Sequence, residues 1–285
     1  MTRIILNGCR GAMGRTVARV ASGKGDIAVV AGADVRVAAG AGGGPGGGIS
    51  AGAGGGAGGG VGEAPVKAAF PEYPALSGIA EEADALVDFS SPAALGAVLA
   101  FATAKRLPAL LASTGYTEAQ KRQIADASMV IPIMQSANLS IGVSLMAELA
   151  RKAAAALGDG FDVEIIEKHH NRKVDAPSGT ALMLADAVNA ASTDGGGGGS
   201  GGGYEYVYSR KERHEKRGKR ELGIHCVRGG TIVGEHTLIF AGNDEVIEIR
   251  HAASSRDIFA EGAVRAARFL AAVGKPGLYG MGDVL

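Results

Sequence analysis

The sequence predicts an α/β protein of two domains, in which a parallel β-sheet with helices on both faces precedes a smaller α+β domain. Two observations carry this prediction. Short β-rich runs alternate with longer helical runs through the first half of the 285 residues, a rhythm that is typical of βαβ units. After Asn138 the order changes to a long helix, a strand, a second helix and three strand-like runs, so a second domain is expected there. A chain of this length can form two domains of ordinary size.

The elements are expected in the following order. The strand-like runs of the first half are RIILN (3–7), IAVVAGAD (27–34), ALVDFS (85–90), PALLAS (108–113) and MVIPIM (129–134), and the helical runs are 14–23, 92–105 and 117–128. The second half has helices at about 140–157 and 179–191, a strand at FDVEIIEKHH (161–170), and strand-like runs LGIHCVRG (222–229), GTIVGEHTLIFA (230–241) and EVIEIRHAA (245–253). Short turns between the last runs predict a mostly antiparallel or mixed sheet.

Two segments depart from this plan because they are made largely of glycine. Residues 38–64 and 195–203 account for much of the chain's 47 glycines. Glycine has the most backbone entropy to lose on folding and no side chain to bury, so both segments are predicted to be flexible surface loops without a function of their own.

Composition excludes several classes of protein. A hydrophobic fraction of 46% is incompatible with a wholly disordered chain, and the equal numbers of basic and acidic residues, 29 each, favour neither nucleic acid nor a membrane surface as a partner. We find no signal peptide and no apolar run of the roughly 18–20 residues that span a bilayer. The two cysteines, Cys9 and Cys226, are far apart. We therefore expect a cytoplasmic protein with reduced thiols.

The first chemical signal is a glycine-rich turn directly after the first strand. Gly8, Gly11 and Gly14 have the spacing G-x-x-G-x-x-G and lead into a helix, where backbone N–H groups and the helix dipole can bind a pyrophosphate. Asp34 ends the second strand about 20 residues later, where it could accept hydrogen bonds from ribose hydroxyls, and Arg36 could bind the 2′-phosphate of NADP. An ordinary strand-to-helix turn and a surface ion pair are the alternatives.

The second chemical signal is the run EKHHNRKVDAPSGTA over 167–181, which places two adjacent histidines at the end of a strand. Neighbouring side chains on a strand point to opposite faces, whereas helical zinc ligands need a spacing of four residues, so no metal site is predicted. His169 and His170 could instead face different parts of one substrate, with Lys173 as a fixed positive charge or a proton donor. Two solvated histidines in a basic loop are the alternative.

The residues after this lysine predict an anion site. Pro177 restricts the turn, Ser178 can cap a helix, and Gly179 and Thr180 present backbone N–H groups at the start of that helix. Such a helix start suits a carboxylate or a phosphate. The whole run therefore indicates a small anionic substrate that is held for protonation.

Taken together, these motifs resemble those of the dihydrodipicolinate reductase family. The resemblance is strongest in EIIEKHHNRKVDAPSGTA (164–181) and extends in order through NGCRGAMGR, VDFSSP, ASTGYT, SANLSIGV, VRGGTIVGEHTLIFA and HAASSRDIFAEGAVRAA. It departs from the family where ASTG stands in place of the usual GTTG, and the acid after the second strand is variably placed in the family. Cofactor preference is therefore left open between NADH and NADPH.

The resemblance implies a fold, an activity and a set of site residues. The fold would be a Rossmann-type, doubly wound parallel sheet over 1–135 and 252–285, with a substrate and tetramerisation domain over 136–251. The activity would be the reduction of a small cyclic dicarboxylate by NADH or NADPH with loss of water, in lysine biosynthesis through diaminopimelate. The protein would be a homotetramer of the cytoplasm, or of the plastid stroma in a plant, without nucleic-acid or membrane partners.

By position, the resemblance also implies roles for individual residues. His169 would be the general acid and base, Lys173 the proton donor, and His170, Gly179 and Thr180 would bind the substrate. The cofactor would contact Gly8, Cys9, Arg10, Gly11, Ala12, Met13, Asp34, Arg36, Ala112, Ser113, Thr114, Ser136, Ala137, Asn138 and Leu139. Another two-domain reductase, such as an amino-acid dehydrogenase, and a dinucleotide sensor without activity are the alternatives, although neither needs the histidine and lysine cluster.

Overall fold

The structure is a computed structural model that describes residues 1–40, 69–193, 203–211 and 213–285. The two glycine-rich segments predicted as surface loops lie almost entirely outside the described residues. The chain forms two compact units, of which the first comprises Met1–Ala137 with Ala260–Val284 and the second comprises Asn138–Phe259. Within the part of the chain that the structure describes, no helix is both long and apolar enough to cross a membrane.

The helices and strands follow the predicted order with four additions. The strands are β1 Thr2–Asn7, β2 Ile27–Ala33, β3 Glu72–Tyr73, β4 Ala85–Asp88, β5 Ala109–Leu111, β6 Pro132–Gln135, β7 Asp162–His169, β8 Glu205–Val207, β9 Glu221–Arg228, β10 Gly234–Ala241, β11 Val246–Ala253 and β12 Gly277–Tyr279. The helices are α1 Ala12–Ser22, α2 Leu95–Ala104, α3 Glu118–Ser128, α4 Ile141–Leu157, α5 Gly179–Thr193 and α6 Asp257–Val273. Strands β3, β8 and β12 and helix α6 were not predicted, the strands because two or three residues carry no periodicity.

The first unit contains a seven-stranded sheet in the order β12-β6-β5-β4-β1-β2-β3, and all its strand pairs are parallel. Its central strands are apolar at successive positions, as Ile4, Ile5 and Leu6 in β1 show, because such a sheet is buried on both faces. Burial of each large aliphatic side chain contributes about 1.5–3 kcal/mol. The chain runs outward from β1 in one direction and from β4 in the other, so the strand order reverses between these two strands. The doubly wound parallel sheet that was predicted is confirmed.

The second unit contains a five-stranded sheet in the order β11-β10-β7-β9-β8. The pairs β10–β11 and β10–β7 are antiparallel, whereas β7–β9 and β8–β9 are parallel. Of the two predicted forms, mostly antiparallel or mixed, the second sheet has the mixed one. Strands β9 and β10 follow each other in sequence, but β7 lies between them and pairs with both.

Helices α4 and α5 cover one face of this second sheet. Their apolar side chains pack against alternate residues of the strands, and this core contains Met146, Ala150, Leu184, Val188, Ile165, Leu222, Ile224, Leu238 and Phe240. Burial in β7 alternates strictly from Val163 to His169. This alternation places Glu167 and His169 on the buried face of the sheet, and Glu164 and Lys168 on the other.

Candidate active site

The glycine-rich turn after β1 has a geometry that requires glycine. Gly8 has a φ of +76°, and a Cβ atom there would lie 2.7 Å from the carbonyl oxygen of Phe89. A Cβ at Gly14 would lie 2.2 Å from the carbonyl oxygen of Gly8, so the turn packs directly against α1. Gly11 is the N-cap residue of α1 and no side chain caps this helix. The helix therefore begins with backbone N–H groups directed to the edge of the sheet, as a pyrophosphate site requires.

The carboxylate of Asp34 lies directly after β2 and is already bound by Arg36. The guanidinium donates from Nε to Oδ1 at 2.8 Å and from Nη2 to Oδ2 at 2.7 Å, and the backbone N–H groups of Arg10 and Arg36 donate to the same carboxylate. Burial alone would raise the pKa of Asp34, but these hydrogen bonds outweigh it and lower the pKa. The ion pair that the sequence left as an alternative is present, and a ribose hydroxyl would share Asp34 with Arg36.

A buried carboxylate that the sequence analysis did not single out lies between β1 and β4. Asp88 accepts hydrogen bonds from Asn7 Nδ2 at 2.8 Å and from Ser90 Oγ at 2.6 Å. Burial raises the pKa of this carboxyl group. Because the strand order reverses between β1 and β4, Asp88 marks the position at which ligands bind in open α/β sheets.

The remaining residues predicted for the cofactor follow β5 and β6 at the same edge of the sheet. The Ala112 N–H donates to the Asp88 carbonyl at 3.0 Å, and the Ser136 N–H donates to the Leu111 carbonyl at 3.1 Å. Parallel strands bring their carboxyl ends to one edge. The structure thus gathers Gly8 to Met13, Asp34, Ala112 to Thr114, Ser136 and Ala137 along this edge.

Asn138 was predicted to contact the cofactor, and the structure joins it to a residue predicted for the substrate. Its Nδ2 donates to Thr180 Oγ1 at 2.9 Å, while its Oδ1 accepts from the Ser140 N–H at 2.8 Å. Both bonds lie within the second unit. Asn138 therefore holds the start of α4 and the start of α5 together.

His169 lies at the end of β7 and is held by an acidic residue two positions earlier. Its Nδ1 is 2.6 Å from Glu167 Oε2, and its side chain is only 11% exposed. A Cβ atom at Gly234 would lie 3.1 Å from His169 Nε2, so glycine is the residue that leaves room for this ring.

Glu167 is fully buried, and three groups compensate its charge. Arg228 donates from Nη1 to Oε2 and from Nη2 to Oε1, both at 2.7 Å, and the Ser178 N–H donates to Oε1 at 3.0 Å. Burial raises the pKa of this carboxyl group, but Arg228 and His169 outweigh that effect and lower its pKa to about 2. Glu167 is therefore an ionised acceptor at neutral pH.

A second histidine, His236, packs against the first. The two rings meet edge to face with their centroids 5.2 Å apart, and His236 Nε2 is 3.1 Å from Ser178 Oγ. Burial, followed by the positive charge of His169, lowers the pKa of His236 to about 4. His236 is neutral at pH 7, so it does not oppose a positive charge on the neighbouring ring.

The residues that follow β7 form a turn of positive charge. Burial, and then the nearby charges of Arg172 and Arg256, lower the pKa of His170. Lys173 Nζ is 2.8 Å from Asp175 Oδ2, so this ammonium group is paired with an exposed carboxylate. The Lys173 N–H also donates to the His170 carbonyl at 3.1 Å, which closes the turn.

The turn leads into α5 through a cis peptide bond between Ala176 and Pro177. Ser178 Oγ accepts a hydrogen bond from the Ala181 N–H at 3.2 Å and so caps the helix. Gly179 and Thr180 form the first positions of α5. The structure therefore brings His169, Lys173 and the predicted anion site into one short region of the second unit.

Sequence reasoning missed Glu167, Arg228 and His236 as parts of this region. A signal for Glu167 exists, because residues two apart on a strand share a face. Arg228 and His236 reach the region through register, since Arg228 is paired with His169 and His236 with Glu167 in the sheet. Nothing local in the sequence indicates that register.

Comparison with known proteins agrees with these motifs over the whole chain. The family descriptions "Dihydrodipicolinate reductase, N-terminus" and "Dihydrodipicolinate reductase, C-terminus" match residues 2–139 and 142–285. A protein named 4-hydroxy-tetrahydrodipicolinate reductase from Caldanaerobacter subterraneus subsp. tengcongensis is 42% identical over 285 residues, which is 100% of this chain and 98% of that protein. The chain belongs to the dihydrodipicolinate reductase family.

A further relative supports the family assignment, and two solved structures share the fold. A protein of the same name from Clostridium tetani is 39% identical and covers 100% of this chain and 97% of its own. A dipicolinate-bound dihydrodipicolinate reductase from Paenisporosarcina sp. TG-14 has a TM-score of 0.74, with 21% identity and complete coverage of both chains. A myo-inositol dehydrogenase from Corynebacterium glutamicum, with a TM-score of 0.54 and 15% identity over 96% of this chain and 90% of its own, shares the fold alone.

The family assignment establishes the activity. The chain is an oxidoreductase that uses NADH or NADPH to reduce (2S,4S)-4-hydroxy-2,3,4,5-tetrahydrodipicolinate to (S)-2,3,4,5-tetrahydrodipicolinate with loss of water, a step of lysine biosynthesis through diaminopimelate. The two alternatives, another two-domain reductase and a dinucleotide sensor without activity, are therefore set aside.

Proposed function

We propose that the first unit binds the nicotinamide cofactor and that the second unit binds the substrate and supplies the groups that move protons. The observation that carries this division is the separation of the two motifs. The glycine turn and Asp34 belong to the first unit, whereas His169, Lys173 and the start of α5 belong to the second. The domain boundaries near 135 and 252 stay a prediction.

The residues at the edge of the parallel sheet fit a dinucleotide. Gly8 and Gly14 have no room for a side chain, and the uncapped start of α1 offers N–H groups to a pyrophosphate. Asp34 and Arg36 would contact the adenosine ribose, and the residues after β5 and β6 would line the nicotinamide. When bound, the cofactor supplies the hydride that reduces the ring.

The second unit fits a small dicarboxylate. The relative from Paenisporosarcina sp. TG-14 is described as bound to dipicolinate, a planar dicarboxylate. In this chain the N–H groups at Gly179 and Thr180, the Thr180 hydroxyl and the His170 ring would bind one carboxylate, with the helix dipole adding to the attraction. Lys173 would exchange its exposed partner Asp175 for the substrate, because that surface ion pair contributes only about 0–1 kcal/mol.

His169 and Lys173 would transfer the protons. Negative charge develops on the ring nitrogen and its carboxylate as the ring is reduced, and preorganised donors that face such charge contribute a few kcal/mol each. Lys173 would donate the proton, and His169 would act through Nε2 as general acid and base, since its Nδ1 is bound by Glu167.

We also propose a homotetramer of the cytoplasm, assembled through the second unit. The face of the five-stranded sheet opposite α4 and α5 exposes Val227 and Val246, which favours association. Cys9 and Cys226 are both free thiols, as expected in a reducing compartment.

Turnover of the substrate by the purified enzyme, followed as loss of NAD(P)H absorbance, tests this proposal. His169→Gln should lower kcat by about 10²–10⁴-fold, the range for general acid–base groups, while the KM for the nucleotide stays unchanged. His225→Gln is the matched control, because His225 is also paired with a glutamate of β7 but is 41% exposed on the other side of the sheet. Turnover of His169→Gln close to the wild-type value would remove His169 from the mechanism.

A further inference from the structure

We propose that Glu167 and Arg228 are positioning residues for the reductase reaction: they hold His169 in the tautomer that leaves Nε2 for the substrate, and they connect this ring to the anion site at the start of α5. The inference rests on the proposed role of His169. Neither Glu167 nor Arg228 would touch the substrate, since both act through the side chain and backbone that they bind.

The hydrogen bonds of the Glu167 carboxylate determine the tautomer. Oε2 contacts His169 Nδ1 and Arg228 Nη1, while Oε1 contacts Arg228 Nη2 and the Ser178 N–H. A carboxylate with these four contacts is ionised and can only accept, so the hydrogen of the His169 contact belongs to Nδ1. The neutral ring then has a bare Nε2 that can take a proton, and the charged ring has an Nε2–H that can give one.

The same carboxylate also connects the histidine to the anion site. Ser178 is the residue before α5, and its N–H donates to Glu167 while its hydroxyl caps the helix. A displacement of Glu167 would therefore move both the ring that transfers the proton and the helix start that would bind the carboxylate. Geometry of this kind has to be kept within about 0.5 Å for efficient chemistry.

Arg228 compensates the buried negative charge of the Glu167 carboxylate and fixes the orientation of that carboxylate. Both Nη atoms contact Glu167 at 2.7 Å, and Nη2 also donates to the Asp175 carbonyl at 2.6 Å. A bidentate contact fixes the plane of the carboxylate as well as its position. The contact with Asp175 fastens the turn that carries Lys173 to strand β9.

The charges that face His169 predict the effect of removing this pair. Glu167 lies beside it on β7, Arg228 on β9, neutral His236 on β10, and Lys173 with Asp175 on the following turn. Glu167 is the negative charge in direct contact with the ring. An opposite charge at such a distance moves a titration by about 1–3 pH units, so its loss should make the ring easier to deprotonate.

The experiment is a titration of the full-length enzyme labelled with ¹⁵N-histidine, followed by NMR, together with the pH profile of kcat. In Glu167→Gln we expect the His169 titration midpoint to move to lower pH by about one unit or more, with mixed tautomers, and the alkaline limb of kcat to move with it. Glu167→Asp keeps the negative charge, so its His169 titration midpoint should lie closer to the wild-type value than that of Glu167→Gln. Arg228→Gln removes a positive charge, so the midpoint should move to higher pH instead.

Glu164→Gln is the matched control. Glu164 lies on the same strand and also binds a histidine and an arginine, His225 and Arg217, but on the other face of the sheet. This variant should leave the midpoint and tautomer of His169 unchanged. The Glu167 and Arg228 variants are expected to move the His169 titration midpoint in opposite directions, so either variant tests the proposal if the other folds poorly.

The possible failures are distinguishable. A wild-type titration midpoint and Nδ1–H tautomer in Glu167→Gln, or a downward shift in Arg228→Gln, would overturn the positioning role whatever His169 does in catalysis. Full turnover of His169→Gln would instead overturn the proposed function, and the NMR titration would still report whether Glu167 and Arg228 hold the ring.

Discussion

Buried His236 should make the second unit sensitive to mild acid. Its side chain packs against His169 and Ser178, and the whole residue is only 4% exposed. Burial and the charge of the neighbouring ring lower its pKa from 6.5 to about 4. As the pH falls, the His236 side chain therefore binds a proton near pH 6.5 in the unfolded chain, but only near pH 4 in the folded chain.

The sign and the magnitude follow from this difference. Between these two pH values the unfolded state binds more protons, so the free energy of unfolding decreases as the pH falls. A shift of about 2.5 units at 1.36 kcal/mol each corresponds to about 3 kcal/mol in total, of which about 2 kcal/mol should be lost between pH 7 and pH 5. The contribution is fully present above pH 6.5 and fully lost below about pH 4.

Urea unfolding followed by circular dichroism at a fixed protein concentration measures this contribution. We compare the wild type with His236→Gln, which keeps a polar group near Ser178 but does not titrate. The free energy of unfolding of the wild type should fall by about 2 kcal/mol more than that of the variant between pH 7 and pH 5. His214→Gln, a change at an exposed histidine, should follow the wild type. Parallel curves for the wild type and His236→Gln would refute the reasoning.

Three further predictions concern the proposed binding sites. Thr180→Val removes a hydroxyl, so the substrate KM should rise by about 2–10-fold with a smaller change in kcat, and steady-state kinetics with pyridine-2,6-dicarboxylate should show competitive inhibition of the wild type. Arg36→Ala should selectively lower kcat/KM for NADPH, and Asp34→Ala should selectively lower kcat/KM for NADH. Equal effects of these variants on both cofactors would contradict the assignment of Asp34 and Arg36 to the adenosine ribose. Gly8→Ala adds a Cβ only 2.7 Å from the Phe89 carbonyl oxygen, so calorimetry should show weakened nucleotide binding, and wild-type affinity would contradict a tight turn.

The sequence by itself determined the order of the main elements and the candidate residues for the chemistry. The alternation of strands and helices predicted the parallel sheet, because apolar strands and amphipathic helices repeat with different periods. The glycine turn, Asp34 and the run from His169 to Thr180 were recognisable because each is local, with its residues close together in the chain. The structure places them at strand ends and at helix starts, as local rules require.

Tertiary structure decided which distant residues meet those motifs. Strand β7 lies between β9 and β10, and this register brings Arg228 and His236 to Glu167 and His169. Arg228 is 61 residues from its hydrogen-bond partner Glu167, and His236 is 58 residues from its partner Ser178. Pairing in a sheet depends on the packing of whole faces against α4 and α5, which no local pattern encodes. The sequence alone therefore predicted His169 as the proton-transfer histidine, whereas the charge and hydrogen bonds that orient its ring depend on the folded sheet.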